Sequence, residues 1–344
     1  MKVYYTPSLF CRGKGPRGWA QKVNWQFEHA GMQRYIPVIY RFPKGIVFDV
    51  ITPLDEAKLH EFYEKYGTDD EKLTPLQKRC VEQENPYQAV PVMEIWINGK
   101  RVESGYSSSG SAYIPWARQD DDLASVRKAY SRILKDATCF GCERFCVAYP
   151  EAGSRFQELL RFLRMEKVTN MKISTRPMDW FTPLDISFEM SLEDCRREVF
   201  FKHPVTGISH TLYFQNAELV EIPMGKDRNR SLFIMQSMYE IEPALPQGDT
   251  LQFNSSIQYT EPPKDRFSPV AVAASSIGII GGASGPTVVS VTQRDKGKNV
   301  PQGLHGLPLH TCVSVPTFQK EDTYKFMLEG ISSIKYDRRE YILK

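Results

Sequence analysis

The sequence predicts an α+β protein with a mixed N-terminal region, a helical hairpin in the middle and an antiparallel, β-sandwich-like C-terminal domain. Three observations lead to this prediction: strand-like and helix-like segments alternate over residues 1–119, helical periodicity fills residues 120–168, and short β-rich runs fill residues 169–344. A chain of 344 residues is long enough for about two or three domains. We therefore expect a mixed α/β region, a helical connector and a β-rich domain, in that order.

The N-terminal region begins with a predicted hairpin and helix. Residues 35–40 and 46–51 are rich in β-branched and aromatic side chains, and a Phe-Pro-Lys-Gly segment connects them. Thr52 and Pro53 predict the start of a helix that ends at Gly67.

A second helix and a second hairpin follow. Thr74 and Pro75 supply an N-cap and a first-turn signal for a helix that runs to about Glu84. Residues 90–97 alternate as a strand does, and the Asn98-Gly99 pair is the strongest short hairpin signal in any sequence.

The middle of the chain is predicted to be helical. Asp120, Asp121 and Asp122 place negative charge at a helix start, where the helix macrodipole favours it. A second helix is expected over residues 154–166, and the two helices would form a hairpin joined near Tyr149 and Pro150.

The C-terminal part changes character. Pro, Gly, Asn and Asp separate short runs of β-branched and aromatic residues, at spacings typical of sandwiches or barrels. The predicted strands cover residues 171–175, 186–190, 198–202, 211–214, 232–238, 251–259, 288–291 and 312–315.

Composition narrows the class of protein. The net charge is only +3, which argues against a dedicated nucleic-acid-binding protein. The N-terminus lacks the apolar segment of a secretory signal, and glycines and a proline interrupt the only long weakly polar run, residues 269–291. Seven cysteines, an odd number in a long chain, do not match a disulfide framework. We expect a cytoplasmic protein with reduced thiols and no membrane partner.

The sharpest candidate for chemistry is a C-x2-C-x3-C cluster formed by Cys139, Cys142 and Cys146. Thiolates at such spacing can converge on Zn²⁺ or an iron-sulfur cluster, with Cys195, His203 or His210 as a fourth ligand. Alternatively, positions i, i+3 and i+7 lie on one face of a helix, and the three cysteines are small core residues. We expect no cofactor under this second interpretation.

Two histidines form the second candidate. His203 and His210 flank a Pro-Val-Thr-Gly turn, so a hairpin could bring both imidazoles together as a metal pair or an acid-base pair. The alternative is that they are exposed polar residues beside a turn. His305 and His310, which Gly306 to Leu309 separate, form another candidate pair with the same two interpretations.

Two segments carry a resemblance to known proteins. Residues 276–289, SIGIIGGASGPTVV, resemble locally the GGADGPT signature in the beta subunit of sodium-pumping decarboxylases. Ser284 stands where that family has Asp, so the resemblance implies a local backbone shape and no sodium-coupling acid. HPVTGISHTL followed by IIGGASGPT is also similar, in order and content, to uncharacterised proteins of anaerobic Firmicutes, which imply no activity, cofactor or partner.

The sequence favours a non-catalytic, cytoplasmic protein that binds another protein or a ligand. It contains no nucleophile elbow, HExxH, EF-hand, kinase or nucleotide-binding fingerprint. One alternative is a metal- or thiol-dependent enzyme that uses Cys139, Cys142 and Cys146. Another is a structural subunit of a larger assembly.

Overall fold

The computed structural model describes residues 1–10, 15–67, 73–116, 123–163, 165–193, 196–224, 230–254 and 301–344. The chain divides into two compact units. Unit 1 contains Met1–Asp179 together with Lys335–Lys344, and unit 2 contains Trp180–Ile334. Most of the described chain lies in antiparallel β-sheets, which confirms the β-rich prediction.

The largest sheet of unit 1 has five strands in the order β1-β2-β3-β7-β6. Each strand pairs antiparallel with its neighbours in this sheet. The strands are β1 (Trp19–His29), β2 (Met32–Arg41), β3 (Gly45–Leu54), β6 (Tyr106–Tyr113) and β7 (Cys139–Ala148). The hairpin predicted over residues 35–51 is therefore confirmed as β2 and β3.

A second sheet of unit 1 has the order β16-β8-β4-β5. Its strands are β4 (Val92–Ile97), β5 (Lys100–Arg101), β8 (Met171–Thr175) and β16 (Glu340–Leu343). Side chains of both sheets meet in one hydrophobic core, for example Phe48 and Phe145 from the first sheet with Ile95 and Ile173 from the second. Asn98 and Gly99 both have positive φ, of 51° and 82°, and form the predicted turn between β4 and β5.

The described residues of unit 1 also form four helices: α1 (Glu56–Tyr66), α2 (Pro75–Glu84), α3 (Ala124–Ala129) and α4 (Arg155–Phe162). The predicted start of α2 is confirmed, because Thr74 and Gln77 form a complete capping box. The predicted start of α1 is wrong by one turn. Thr52 continues strand β3, and the Asp55 side chain caps the helix by accepting from the Ala57 and Lys58 amides.

The helical connector predicted over residues 120–168 needs a correction. The structure places the ten-residue strand β7 between α3 and α4, so the cysteine cluster is in a strand and not in a helix. Every residue from Cys139 to Val147 is buried. A fully buried strand shows no alternation of polar and apolar residues, and periodicity alone cannot distinguish it from a buried helix.

Unit 2 contains a four-stranded sheet, β10-β11-β12-β14, and a three-stranded sheet, β13-β15-β9. The strands are β9 (Met178–Ser191), β10 (Arg197–Lys202), β11 (Ser209–Met224), β12 (Arg230–Glu242), β13 (Thr250–Phe253), β14 (His310–Val313) and β15 (Thr323–Tyr336). Phe188 and Phe326 from the smaller sheet and Phe214 and Tyr239 from the larger sheet share one core. The strand predicted over 288–291 lies outside the described residues.

Candidate functional site

The structure does not bring the three predicted cysteine ligands together. Successive side chains of a strand point to opposite faces, so Cys139 and Cys142 project from opposite sides of β7. Cys142 and Cys146 share a face but lie about 13 Å apart along the strand. Each of the three thiols packs in a different hydrophobic cluster.

Burial also makes these thiols poor ligands and poor nucleophiles. It raises the pKa of Cys139 and Cys146, and raises the pKa of Cys142 well above its ordinary value. A thiolate is the form that binds metal or attacks a substrate. Within the described ranges, no three His, Cys, Asp or Glu side chains gather in a way that could hold a metal ion. Cys195 lies outside those ranges.

His203 and His210 do come close, with ring centroids 6.1 Å apart, but each has a structural partner. His203 Nε2 lies 2.9 Å from Asp249 Oδ2, and His203 Nδ1 accepts from the Val205 and Thr206 amides at 3.2 Å. These bonds place the proton on Nε2 and occupy both ring nitrogens. His203 therefore fixes the turn between β10 and β11 and has no lone pair left for a metal.

His210 is buried beside it. Its Nδ1 donates to the Pro243 carbonyl at 2.7 Å, which leaves Nε2 as a buried acceptor without a partner among the described residues. One free imidazole nitrogen cannot hold a metal ion alone. The sequence spacing indicated the proximity of the two histidines, but it gave no signal for Asp249, which is 46 residues from His203 in the chain.

A polar site that sequence reasoning missed lies on the outer face of the larger sheet in unit 2. Glu198, Tyr213 and Glu240 form a row across β10, β11 and β12. The Glu240 side chain is fully buried under the loop before β14. It accepts from the Leu307 amide at 2.9 Å, from the His305 amide at 3.0 Å and from Gln215 Nε2 at 3.3 Å.

The loop can approach Glu240 only because position 303 is glycine. A Cβ atom at Gly303 would lie 2.2 Å from Gln215 Nε2 and 2.3 Å from Glu240 Cδ. Burial acts to raise the pKa of Glu240, but the hydrogen bonds from His305 and from the Leu307 amide lower it by more. The pKa of Glu240 therefore lies below its usual value, and the carboxylate is ionised at neutral pH.

Glu240 orients a half-exposed imidazole. His305 Nδ1 lies 2.9 Å from Glu240 Oε2, and the His305 ring packs on Tyr213 with centroids 4.2 Å apart. His305 borders an open cleft of about 470 Å³, whose lining also includes Arg196, Arg197 and Glu198. Because Nδ1 donates to Glu240, Nε2 is the nitrogen that can contact a ligand. The cleft can offer a guanidinium to an anionic group and, when the His305 ring is protonated, an Nε2–H donor as well.

An exposed apolar surface of unit 1 lies on helix α4 and on the residues directly after it. Phe156 and Phe162 are 68% and 71% exposed. The exposed apolar residues described there, which we call the α4 apolar face, are Phe156, Leu159, Phe162, Leu163 and Met165.

Two polar side chains of α4, Gln157 and Arg161, face inward, whereas Arg155 and Glu158 are exposed. Arg161 is 8% exposed, pairs with Glu166 and donates to the Pro150 carbonyl at 2.6 Å. Its guanidinium also lies over the Tyr149 ring, 4.6 Å from the centroid. Gln157 donates to the same Glu166 carboxylate at 2.7 Å. This arrangement differs from that of an ordinary surface helix, whose apolar side faces the core.

Comparison with known proteins gives no relative: no protein-family model, no curated protein and no solved structure matches this chain. No helix in the described part of the chain has the length and apolar character needed to cross a bilayer. The GGASGPT segment, the aspartates at 120–122 and Cys195 lie outside the described residues.

Proposed function

We propose that this chain is a non-catalytic protein-interaction protein that docks a partner protein against the α4 apolar face. The observation that carries the proposal is the orientation of α4, which buries the charged Arg161 while Phe156 and Phe162 are exposed beside Arg155 and Glu158. Exposed contiguous apolar patches on soluble chains mark interaction sites. An amphipathic helix commonly binds by laying its apolar face into a groove of the partner.

The anchoring of α4 supports a fixed recognition surface. If α4 rolled to bury its phenylalanines, Arg161 would lose its bonds to Glu166 and Pro150. Arg41 adds a second restraint, because its guanidinium donates to the Met165 and Glu166 carbonyls at 3.2 and 3.0 Å. A surface held in its binding conformation loses little conformational entropy on association.

A cytoplasmic location is part of the proposal, as is the absence of a nucleic-acid partner. The described free cysteines, namely Cys80, Cys139, Cys142, Cys146 and Cys312, support a reducing compartment. The strand geometry and raised thiol pKa values give no support to an enzyme based on the cysteine cluster. A structural subunit of an assembly would use the same α4 face, and its partner would appear at fixed stoichiometry.

The test uses a photo-crosslinking amino acid at Leu159, in the centre of the α4 apolar face, in the native host. The crosslinked protein is identified, purified and titrated against the full chain. We expect a Phe156→Ser, Phe162→Ser variant to bind it at least about tenfold more weakly, the scale of an interface hot spot.

The matched control is Phe200→Ser, because Phe200 is 66% exposed but lies in unit 2. It should bind as the unmodified chain does. A crosslink only within the chain, or α4-dependent binding only to vesicles of anionic phospholipid, would contradict a protein partner.

A second candidate function is binding of a small anionic ligand in the unit 2 cleft. It is favoured by the imidazole of His305, held by an ionised, buried Glu240 and bordered by Arg196. Calorimetric titration with inorganic phosphate tests it. His305→Gln should weaken binding about tenfold or more, while His60→Gln, on exposed helix α1, should not. If titration with about millimolar phosphate gives no saturable heat, this candidate function is excluded.

We also propose that the C-terminal domain has the sandwich-like arrangement expected from the sequence. The hydrophobic core that both sheets of unit 2 share supports this arrangement.

A further inference from the structure

Strand β6 is an edge strand of the five-stranded sheet. It pairs with β7 over all eight of its residues, from Tyr106 opposite Val147 to Tyr113 opposite Phe140, without a register shift. No other described strand pairs with its outer edge. A regular edge presents a row of backbone N–H and C=O groups that can pair with another chain.

The other edge strands carry the features by which proteins block such pairing. Charged side chains, proline, irregular register and short length all serve this purpose. Strand β1 has Lys22, Glu28 and a register irregularity; β9 has Pro183, Asp185 and Glu189; β10 has Arg197, Glu198 and Lys202; β5, β13, β14 and β16 have four residues or fewer.

Strand β6 has none of these features. Its sequence, YSSSGSAY, contains no charge and no proline, and the serines at 107 and 108 are exposed. A second strand would approach in the plane of the sheet, and small side chains above and below that plane leave the edge unobstructed. Among the described strands, β6 is therefore the long edge that carries no feature opposing further pairing.

We infer that a second copy of this chain pairs with this edge, β6 to β6, antiparallel about a two-fold axis at Ser109. The sheet would then continue across the axis from one subunit to the next. Residues directly opposite in an antiparallel pair point to the same face. Ser107 would face Ser111 of the partner subunit, and Tyr106 would face Ala112 of the partner subunit.

The absence of charged residues in β6 favours pairing between two copies of this strand. In a two-fold interface each charge meets the same charge on or near the opposite strand, and like charges in cross-strand pairs are destabilising. Strand β6 brings no such repulsion. A two-fold pairing also uses both open edges and closes the assembly as a dimer. This inference does not depend on the α4 apolar face.

The test is sedimentation velocity of the full chain across a dilution series, beside a Ser108→Lys variant. We expect a mass of two chains for the unmodified protein. The dimer dissociation constant of Ser108→Lys should be at least about tenfold higher, because lysine on an edge strand opposes pairing. Ser131→Lys, at an exposed position outside the sheet, is the control and should remain dimeric.

Two further readouts separate this outcome from misfolding or another interface. Ser108→Thr adds a side chain that strands favour and should remain dimeric. The circular dichroism of Ser108→Lys should match that of the unmodified chain. A single-chain mass at every concentration would overturn the inference, as would a dimer that Ser108→Lys dissociates no more easily than Ser131→Lys does. Loss of that dimer in Phe156→Ser would then assign it to the α4 apolar face.

Discussion

The buried Glu240 carboxylate holds the loop that contains His305 and Leu307 on the outer face of the larger sheet in unit 2. Glu240 accepts hydrogen bonds from the side chain and amide of His305 and from the amide of Leu307. The sequence could not indicate this group, because Glu240 and His305 are 65 residues apart and no motif links them. Sequence spacing paired His203 with His210 and His305 with His310, each pair close in the chain, and gave no signal that His305 contacts Glu240.

Glu240→Gln should destabilise unit 2 by roughly 1–3 kcal/mol. The NH2 group of the introduced glutamine would face the backbone N–H groups of the loop, and two donors cannot form a hydrogen bond with each other. Since folding lowers the Glu240 pKa, its stabilisation is complete above the unfolded pKa of about 4.3 and is lost as pH falls below that value. Urea unfolding monitored in unit 2 measures the change. Glu242→Gln, on the same strand but exposed, should have little effect.

His29 supplies a pH dependence in unit 1. It is buried, and Nδ1 lies 2.8 Å from the Tyr341 hydroxyl. Burial, together with the Arg34 and Arg339 guanidinium groups, lowers the pKa of His29 to about 4. The folded state therefore favours the neutral ring.

We expect the contribution of His29 to the stability of unit 1 to be complete above pH of about 6.5 and to be lost toward pH 4, with a slope of at most about 1.4 kcal/mol per pH unit. The buried Glu143, whose pKa burial raises to about 7, acts in the opposite direction, so the readout is the difference in unfolding free energy between the unmodified chain and His29→Gln, which should change across this range. His60→Gln, at an exposed histidine of α1, should keep the original profile. An identical slope in His29→Gln would exclude His29 as the titrating group.

Among the secondary-structure elements, short sequence motifs predicted those turns and helix ends that neighbouring residues determine. Asn98 and Gly99 form their turn because both adopt positive φ, and the Thr74 capping box fixes the start of α2. Strand β7 could not be identified in this way. Its buried Glu143 and Arg144 are paired with Arg34 and Asp49 on other strands, and such pairing is not visible in the sequence of one segment.

The corrected start of α1 gives an element-scale prediction. Asp55 accepts from the Ala57 and Lys58 amides at 3.0 and 3.3 Å, so Asp55→Ala should destabilise the helix by about 1 kcal/mol. Hydrogen exchange at those two amides should become faster. Glu61→Ala, in the exposed middle of the same helix, should leave their exchange unchanged.

At the scale of the whole molecule, the chain returns to unit 1 after completing unit 2. Strand β16 pairs with β8, and Leu343 enters the unit 1 core with 4% exposure. The predicted β-rich domain of residues 169–344 differs from this division, because long-range strand pairing assigns β8 and β16 to the N-terminal unit. Sequence composition changes near residue 170 but does not reveal pairing partners.

Leu343→Ala should therefore destabilise unit 1 by roughly 2–5 kcal/mol, as expected for a buried leucine. Hydrogen exchange should rise in β8 and β4 while β11 and β12 of unit 2 keep their protection. Ile342→Ala is the matched control, because Ile342 is its neighbour on β16 and is 67% exposed. Equal loss of protection in both units would contradict the division.

Binding of a partner protein to the α4 apolar face, as we propose, can be measured directly. The most direct measurement is a titration of the protein crosslinked at Leu159 against the unmodified chain, the Phe156→Ser, Phe162→Ser variant and Phe200→Ser. We expect the Phe156→Ser, Phe162→Ser variant to bind at least about tenfold more weakly than the unmodified chain, and Phe200→Ser to bind as the unmodified chain does. Equal affinity for all three proteins would contradict this proposal.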